Sequence, residues 1–262
     1  MKNSVWKRTA LAVSIVAGIL LTAYPKQTSA AYNYGNTKQK AVCEAMDRMA
    51  RIQWRPSSKV SIGNCSYSPK VTYRGMPYTQ LSNITYDYFI AHCTKSAKDP
   101  YYVYSDSQGN DCSTAVALAW MVYFPGINYA GTWTGDYLEC TRYGSNAKYH
   151  MKTVGGYATN KANTKDYCVS VGYNTVKKYY QQLKPGDALL KYYQKPNSKG
   201  EMVTSKHVVL VVGVSASAVQ ITDQCGRGSG DNTKTTWRRK KTITFQDLYK
   251  QYFLPVYCTD VR

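Results

Sequence analysis

The chain has 262 residues, with 34 lysines and arginines against 15 aspartates and glutamates, a formal net charge of +19. Hydrophobic residues make up 44% of it, enough to bury a core, which excludes wholesale disorder. Collagen-like, heptad and short-period repeat patterns are also excluded. The chain has 26 tyrosines but only 4 phenylalanines, and tyrosine rings with a polar tip suit a wet surface or a polar groove.

The start of the chain has the three-part pattern of a secretory signal peptide. A basic start and an almost wholly apolar run over residues 10–23 precede the small residues 28–31. The alternative is an uncleaved membrane anchor, but the run is about four residues short of the roughly 18 that a span needs. We therefore predict a signal over residues 1–31, cleaved after Ala30 or Ala31, and a secreted mature protein without stable membrane insertion.

If the protein is exported, the partner of its positive charge lies outside the cell. The basic residues are scattered, with one dense run at residues 238–241, so the pattern does not predict a nucleic-acid partner. An anionic surface outside the cell, such as a bacterial wall, fits a secreted basic protein better. A solvated basic surface with no dedicated partner is the alternative.

The mature chain carries eight cysteines, an even number that export allows to form disulfides. If one of them is a nucleophile, seven remain, and at least one more is unpaired or bridges to another chain. The chain has no C-x-x-C pair and its three histidines are far apart, so we predict no metal site and no cofactor. The cysteines are Cys43, Cys65, Cys93, Cys112, Cys140, Cys168, Cys225 and Cys258.

The helical patterns lie mainly in the first half of the chain. Thr37–Arg51 repeats apolar residues at three- and four-residue intervals. Residues 112–123 are apolar nearly all round, behind a potential N-cap at Asp111. Residues 126–167 are rich in Gly, Tyr and Asn without a clean period, and we interpret them as an insertion. The other predicted helices are short, over residues 85–92 and 175–183.

The pattern changes to strands after residue 186. Pro196 to Thr204 reads as a polar turn, and residues 207–214 form a β-branched apolar run typical of a central strand. Helices first and consecutive strands later predict an α+β fold with an antiparallel sheet, in a single domain over residues 32–262. The other predicted strands are residues 187–193, 218–222 and 236–244, before a final segment over 245–256.

Cys112 is the candidate nucleophile because it stands in the first turn of a buried helix, behind a polar loop. The partial positive charge of a helix N-terminus stabilises a thiolate. The unpaired N–H groups there can also receive a developing oxyanion. By itself, a cysteine at this position is more often half of a disulfide.

A cysteine nucleophile needs a base, and the chain offers His92, His150 and His207. His207 heads the most apolar strand, where a rigid strand end can hold a base in position. If the strands on either side of the turn at 215–217 pair, Asp223 or Gln224 returns close to His207 and can orient its ring.

Three segments carry a resemblance to a known group of enzymes. Residues 110–113 (NDCS) precede an Ala/Val/Trp helix, residues 183–190 read LKPGDALL, and residues 207–214 read HVVLVVGV. In this order they are similar to the nucleophile motif, strand entry and histidine strand of NlpC-type and CHAP-type papain-like cysteine peptidases and amidases, a bacterial cell-wall hydrolase group.

The resemblance implies a papain-like fold, with N-terminal helices packed on a C-terminal antiparallel sheet and a long insertion after the nucleophile helix. It implies Cys112 as the nucleophile and His207 as the base. The residue that orients the histidine is Gln224 if the chemistry is NlpC-like, or Asp223 if the triad is CHAP-like. Gln224 is slightly favoured.

The same family places a tyrosine upstream of the nucleophile, facing the cleft. Two stretches compete for this role, one ending at Tyr78 and the other containing Tyr102 and Tyr104. Together with Ser113, which follows the nucleophile, these tyrosines are the predicted substrate-binding residues.

The sequence therefore predicts a secreted cysteine hydrolase, with wall association left open, that cleaves peptide or amide bonds of peptidoglycan through a thioester. Its partner would be peptidoglycan or another cell-wall polymer. The alternatives are a transglutaminase-like acyltransferase and a catalytically inactive wall- or glycan-binding protein on the same fold.

Overall fold

The computed structural model describes residues 35–62, 65–80, 83–93, 102–104, 109–226 and 230–262, without the side chains of 92, 93 and 102–104. The predicted signal segment lies outside the described residues. Tyr32–Arg262 groups as one compact unit. No helix in the described part of the chain is both long and apolar enough to span a bilayer.

Six α-helices lie in the described ranges. They are α1 (Thr37–Arg51), α2 (Tyr86–Cys93), α3 (Cys112–Trp120), α4 (Thr134–Tyr143), α5 (Thr164–Tyr180) and α6 (Phe245–Lys250).

A seven-stranded sheet forms the centre of the fold, and every pairing in it is antiparallel. Its strand order is β11-β10-β9-β8-β12-β7-β6. Its strands are β6 (Ser145–Asn146), β7 (Met151–Thr153), β8 (Ala188–Pro196), β9 (Met202–Val214), β10 (Ala218–Gln224), β11 (Trp237–Thr244) and β12 (Leu254–Cys258).

Two small sheets lie in the N-terminal part of the unit. One has the order β4-β1-β5 and the other pairs β2 with β3. Their strands are β1 (Gln53–Pro56), β2 (Val60–Ile62), β3 (Cys65–Tyr67), β4 (Tyr73–Arg74) and β5 (Tyr102–Tyr104).

Helices cover both faces of the large sheet. Val208 and Leu210 pack with α1 and α3 on one face, while Val209 and Val211 pack with α5 and α6 on the other. A strand buried on both faces needs an unbroken apolar run rather than an alternating one, as in residues 208–212. The α+β class and the antiparallel sheet predicted from the sequence are confirmed.

Helix α3, which begins at Cys112, is fixed by its buried surroundings. All nine of its residues are buried, and the indole N–H of Trp120 donates to the carbonyl of Gly186 at 2.8 Å. This bond ties the end of α3 to the turn before β8. The predicted helix is too long at its end, because the chain tightens into a turn in which the Tyr123 amide bonds to the Trp120 carbonyl.

The strand that carries His207 begins earlier than predicted. β9 starts at Met202, and its residues 202–206 pair with residues 192–196 of β8. His207 is therefore inside a strand rather than at its head, and the predicted turn over 196–204 is too long. Backbone pairing needs no apolar side chains, so a polar hairpin continues the ladder beyond the buried run.

Residues 126–167 contain regular structure that the sequence analysis missed. They hold α4, β6 and β7, and β7 joins the large sheet through β12. The helical pattern of α4 was hidden because two of its four buried residues are threonines. Helix α5 also starts at Thr164, well before the predicted start at residue 175. The sequence pattern does not show this earlier part, because Gly172, with φ of 76°, kinks the helix and breaks its hydrophobic period.

Candidate active site

Cys112 occupies the first turn of α3. Asp111 is the N-cap: its Oδ1 accepts from the amide of Thr114 at 2.8 Å and from the hydroxyl of Ser113 at 2.9 Å. The first N–H groups of a helix have no intrahelical partner, so those of Cys112 and Ser113 are directed out of the helix end. All seven cysteines with described side chains, Cys112 included, are free thiols, and no disulfide framework forms among them.

The loop before α3 is held by the segment around Tyr78. Backbone bonds join the Asn110 amide to the Pro77 carbonyl at 3.1 Å and the Thr79 amide to the Asn110 carbonyl at 3.0 Å. A Cβ at Gly109 would lie 2.2 Å from the Pro77 oxygen, so this close approach requires glycine.

His207 and Asp223 meet across two neighbouring strands. The turn at 215–217 pairs β9 with β10 as predicted, and His207 Nε2 lies 2.5 Å from Asp223 Oδ2. Asp223 is fully buried. Because Nε2 is bonded to Asp223, Nδ1 is the ring nitrogen that is left for another partner.

Arg238 is a member of this site that sequence reasoning missed. It lies directly opposite Asp223 in the pairing of β10 with β11. Its Nε donates to Asp223 Oδ1 at 3.0 Å and its Nη2 to Oδ2 at 2.6 Å. The available signal is its position in the strand that follows the one carrying Asp223, but in the sequence residues 238–241 stand out only as a dense basic run.

The charges at the site favour a protonated histidine. Burial by itself lowers the pKa of His207, but the negative charge of Cys112 and the hydrogen bonds with Asp223 and Cys112 raise it to about 9. Burial opposes the ionised form of Asp223, yet the contacts with His207 and Arg238 lower its pKa overall. The site can therefore hold His207 as an imidazolium beside an ionised Asp223 at neutral pH.

The protonation of His207 links the stability of the fold to pH. Its folded pKa of about 9 exceeds the ordinary 6.5, so the charged ring stabilises the fold fully below pH 6.5, and this contribution is lost as pH rises toward 9. We predict that the free energy of unfolding of the wild type falls across this window relative to that of His207→Gln. Urea titrations below, within and above the window measure the difference, and a constant difference would contradict the linkage.

Gln224 does not lie against His207. Its Nε2 donates to the carbonyl of Met76 at 2.8 Å and to Asn110 Oδ1 at 3.3 Å, and its Oε1 accepts from Thr236 at 2.9 Å. Of the two candidates for the third residue, the geometry therefore supports Asp223 and not the favoured Gln224. The reason is that adjacent residues of a strand project to opposite faces. Gln224 instead ties β10 to the loop before Cys112.

Tyr78 lies beside the candidate nucleophile. Burial, followed by the negative charges of Cys112 and Asp111, raises the pKa of Tyr78 to about 12. Its hydroxyl accepts from Gln80 Nε2 at 2.9 Å, and the ring faces Gly226. Of the two stretches that compete for the upstream tyrosine, the one that ends at Tyr78 therefore has its ring near Cys112.

The other predicted substrate-binding residues are Tyr102, Tyr104 and Ser113. The side chains of Tyr102 and Tyr104 lie outside the described part of the structure. Ser113 is 1% exposed and its hydroxyl is bonded to Asp111, so only its backbone is directed toward the helix end.

His150 lies in a different environment. Its Nδ1 is 2.6 Å from Asp260 Oδ2, and its ring stacks on Phe124 with 4.0 Å between centroids. Cys258 lies 3.7 Å from the same carboxylate, but burial raises the pKa of that thiol to about 12. This second His–Asp pair therefore has no reactive thiol. The side chain of His92 is not described.

No cluster of three or more histidine, cysteine, aspartate or glutamate side chains that could hold a metal occurs within the described ranges. Comparison of the chain with protein-family models, with curated proteins and with solved structures finds no match.

Proposed function

We propose that the protein is a cysteine hydrolase that cleaves peptide or amide bonds through a thioester. The observation that carries this proposal is the joining of His207 to the buried Asp223, together with the effect of Cys112, at a helix start, on the pKa of His207. Nucleophile, base and orienting group are the three parts that thiol acyl transfer requires.

In the acylation step the Cys112 thiolate attacks the carbonyl carbon of the scissile bond. The carbonyl π electrons move to oxygen, and the first N–H groups of α3 stabilise the resulting oxyanion. As the oxyanion collapses, the bond to nitrogen breaks and His207 gives its proton to the leaving amine. The products of this step are a free amine and a thioester on Cys112.

In the deacylation step His207, now neutral, removes a proton from water as the water oxygen attacks the thioester carbon. Collapse of this second tetrahedral intermediate expels the Cys112 thiolate and releases a carboxylic acid. Asp223, bonded to Nε2, holds the ring in one orientation through both steps and stabilises the imidazolium.

We also propose a papain-like arrangement of the core. A cysteine at the start of a buried helix, a histidine and an acid on neighbouring antiparallel strands, and packing of that helix on the sheet agree with it. The Trp120–Gly186 bond supports it further, because it joins the nucleophile helix to the Pro-Gly-Asp turn of the resemblance.

The proposed substrate is peptidoglycan or a related cell-wall polymer, and the proposed location is outside the cell. The secretory pattern of residues 1–31, the sequence resemblance and the positive charge support both. The net charge stays at about +15 without the four basic residues of the signal segment. A basic surface attracts an anionic wall by long-range electrostatics that salt screens.

The test is incubation of the secreted protein with purified peptidoglycan, followed by mass spectrometry of the released fragments. We expect new amine and carboxylate ends with wild type and none with Cys112→Ala. Cys168→Ala is a matched control, because it removes a thiol whose pKa burial raises to about 12, and it should keep activity.

Each of the other outcomes identifies a different class of protein. Cross-links or new amides in place of new carboxylates would assign the site to an acyltransferase. Unchanged walls that nevertheless retain wild type and Cys112→Ala equally would assign it to a wall-binding protein.

A further inference from the structure

Lys191 is a positive side chain beside the site that the proposed reaction does not use. It lies on β8 directly opposite His207 of β9, and its Nζ lies 5.5 Å from the centre of the Phe253 ring. Directly paired residues of antiparallel strands project to the same face. Lys191, which is partly buried, therefore shares the face of the proposed base.

Four charges bear on Lys191. Burial first lowers the pKa of its amine, Arg238 and Lys195 lower it further, and Asp223 and Cys112 oppose this change. No acidic side chain in the described part of the chain forms an ion pair with Lys191. Asp223 is not available as a partner, because both of its oxygens are bonded to Arg238 and one also to His207.

The buried acid of the site is neutralised without Lys191, because Arg238 bonds both oxygens of Asp223. Lys191 therefore leaves uncompensated positive charge in a partly buried position, where an anion is held more strongly than at an exposed surface. One ammonium matches one carboxylate, whereas a polyphosphate needs several positive groups.

We propose that Lys191 binds a carboxylate of the substrate, so that the preferred substrates are peptides with a free carboxylate beside the scissile bond. The identification of this anion site as a substrate site rests on the proposed function.

The experiment compares the rates at which iodoacetate and iodoacetamide alkylate Cys112 in the folded protein, with the labelled residue identified by peptide mapping. In both reactions the thiolate displaces iodide from carbon to form a thioether, and the two reagents differ in one carboxylate. We expect Lys191→Gln to lower the iodoacetate-to-iodoacetamide rate ratio about tenfold, and Lys191→Arg to retain it.

Lys206→Gln is the matched control. It removes one positive charge from the exposed residue directly before His207, which projects to the opposite face of the strand, and it should leave the ratio unchanged. An equal ratio in wild type and Lys191→Gln would overturn the proposal. So would an equal fall in Lys191→Gln and Lys206→Gln, because the effect would then be one of general charge.

Alkylation does not depend on turnover, so this test is separate from that of the hydrolase. A ratio that falls only in Lys191→Gln, with peptidoglycan left uncut by wild type, would support carboxylate binding and reject the hydrolytic function. If the hydrolase stands, a peptide with a carboxylate should have a higher kcat/KM than its carboxamide analogue in wild type, and Lys191→Gln should abolish that preference.

Discussion

We expect His207→Ala to lower the rate of bond cleavage by about ten-thousand-fold to a million-fold, the range of losses when one member of a nucleophile–base–acid unit is removed. Without the imidazole, nothing takes the thiol proton or protonates the leaving amine. Single-turnover kinetics on released wall fragments measure the loss, and circular dichroism verifies that the fold persists.

His150→Ala is the matched control for this prediction. It also breaks a His–Asp pair, the one with Asp260, but at a place without a reactive thiol. We expect its cleavage rate to stay within about twofold of wild type. If His150→Ala lost activity and His207→Ala kept it, the assignment of the base to His207 would be wrong.

Asp223→Ala should damage both stability and activity. Asp223 is fully buried and bonds to His207 and Arg238, so its removal leaves two positive groups without a partner. Breaking a buried ion pair in this way costs about 3 kcal/mol or more, measurable in urea unfolding. If Asp223→Ala is too unstable to assay, Asp223→Asn preserves the shape, and it should lower the pKa of His207 in an NMR titration.

Asp260→Ala provides the comparison for that loss. The Asp260 side chain is 33% exposed and its partner His150 is 44% exposed, so the pair is solvated and contributes less than about 1 kcal/mol. Equal destabilisation by Asp223→Ala and Asp260→Ala would show that burial does not set the strength of these pairs.

The sequence was sufficient where one pattern dominated. The bounds of α1 follow from its apolar period, and its N-cap is Asn36, whose side chain accepts from the Gln39 amide. The pairing of β9 with β10 follows from two apolar runs around a short turn. α4 and the first half of α5 were missed because their buried faces include threonines, cysteines and tyrosines, which carry no clear hydrophobic period.

The residues of the candidate site were predictable only where a local sequence pattern marks them. Cys112 and His207 stand at recognisable positions along the chain, and Cys112 is near enough to affect the pKa of His207. Arg238 was missed because its contact depends on the register between β10 and β11, which no local pattern fixes. The choice between Asp223 and Gln224 also depends on register, since these neighbours project to opposite faces.

The register of β10 shifts against both neighbours, between Gln220 and Ile221 on the β9 side and between Ile221 and Asp223 on the β11 side. Such bulges re-aim the side chains that follow them. Deleting one residue from this stretch would rotate the next ones by half a period, turning the amide toward the imidazole and the acid toward the loop before the nucleophile. The charge of the group that His207 meets is thus set by the register of β10 as much as by which amino acids are present.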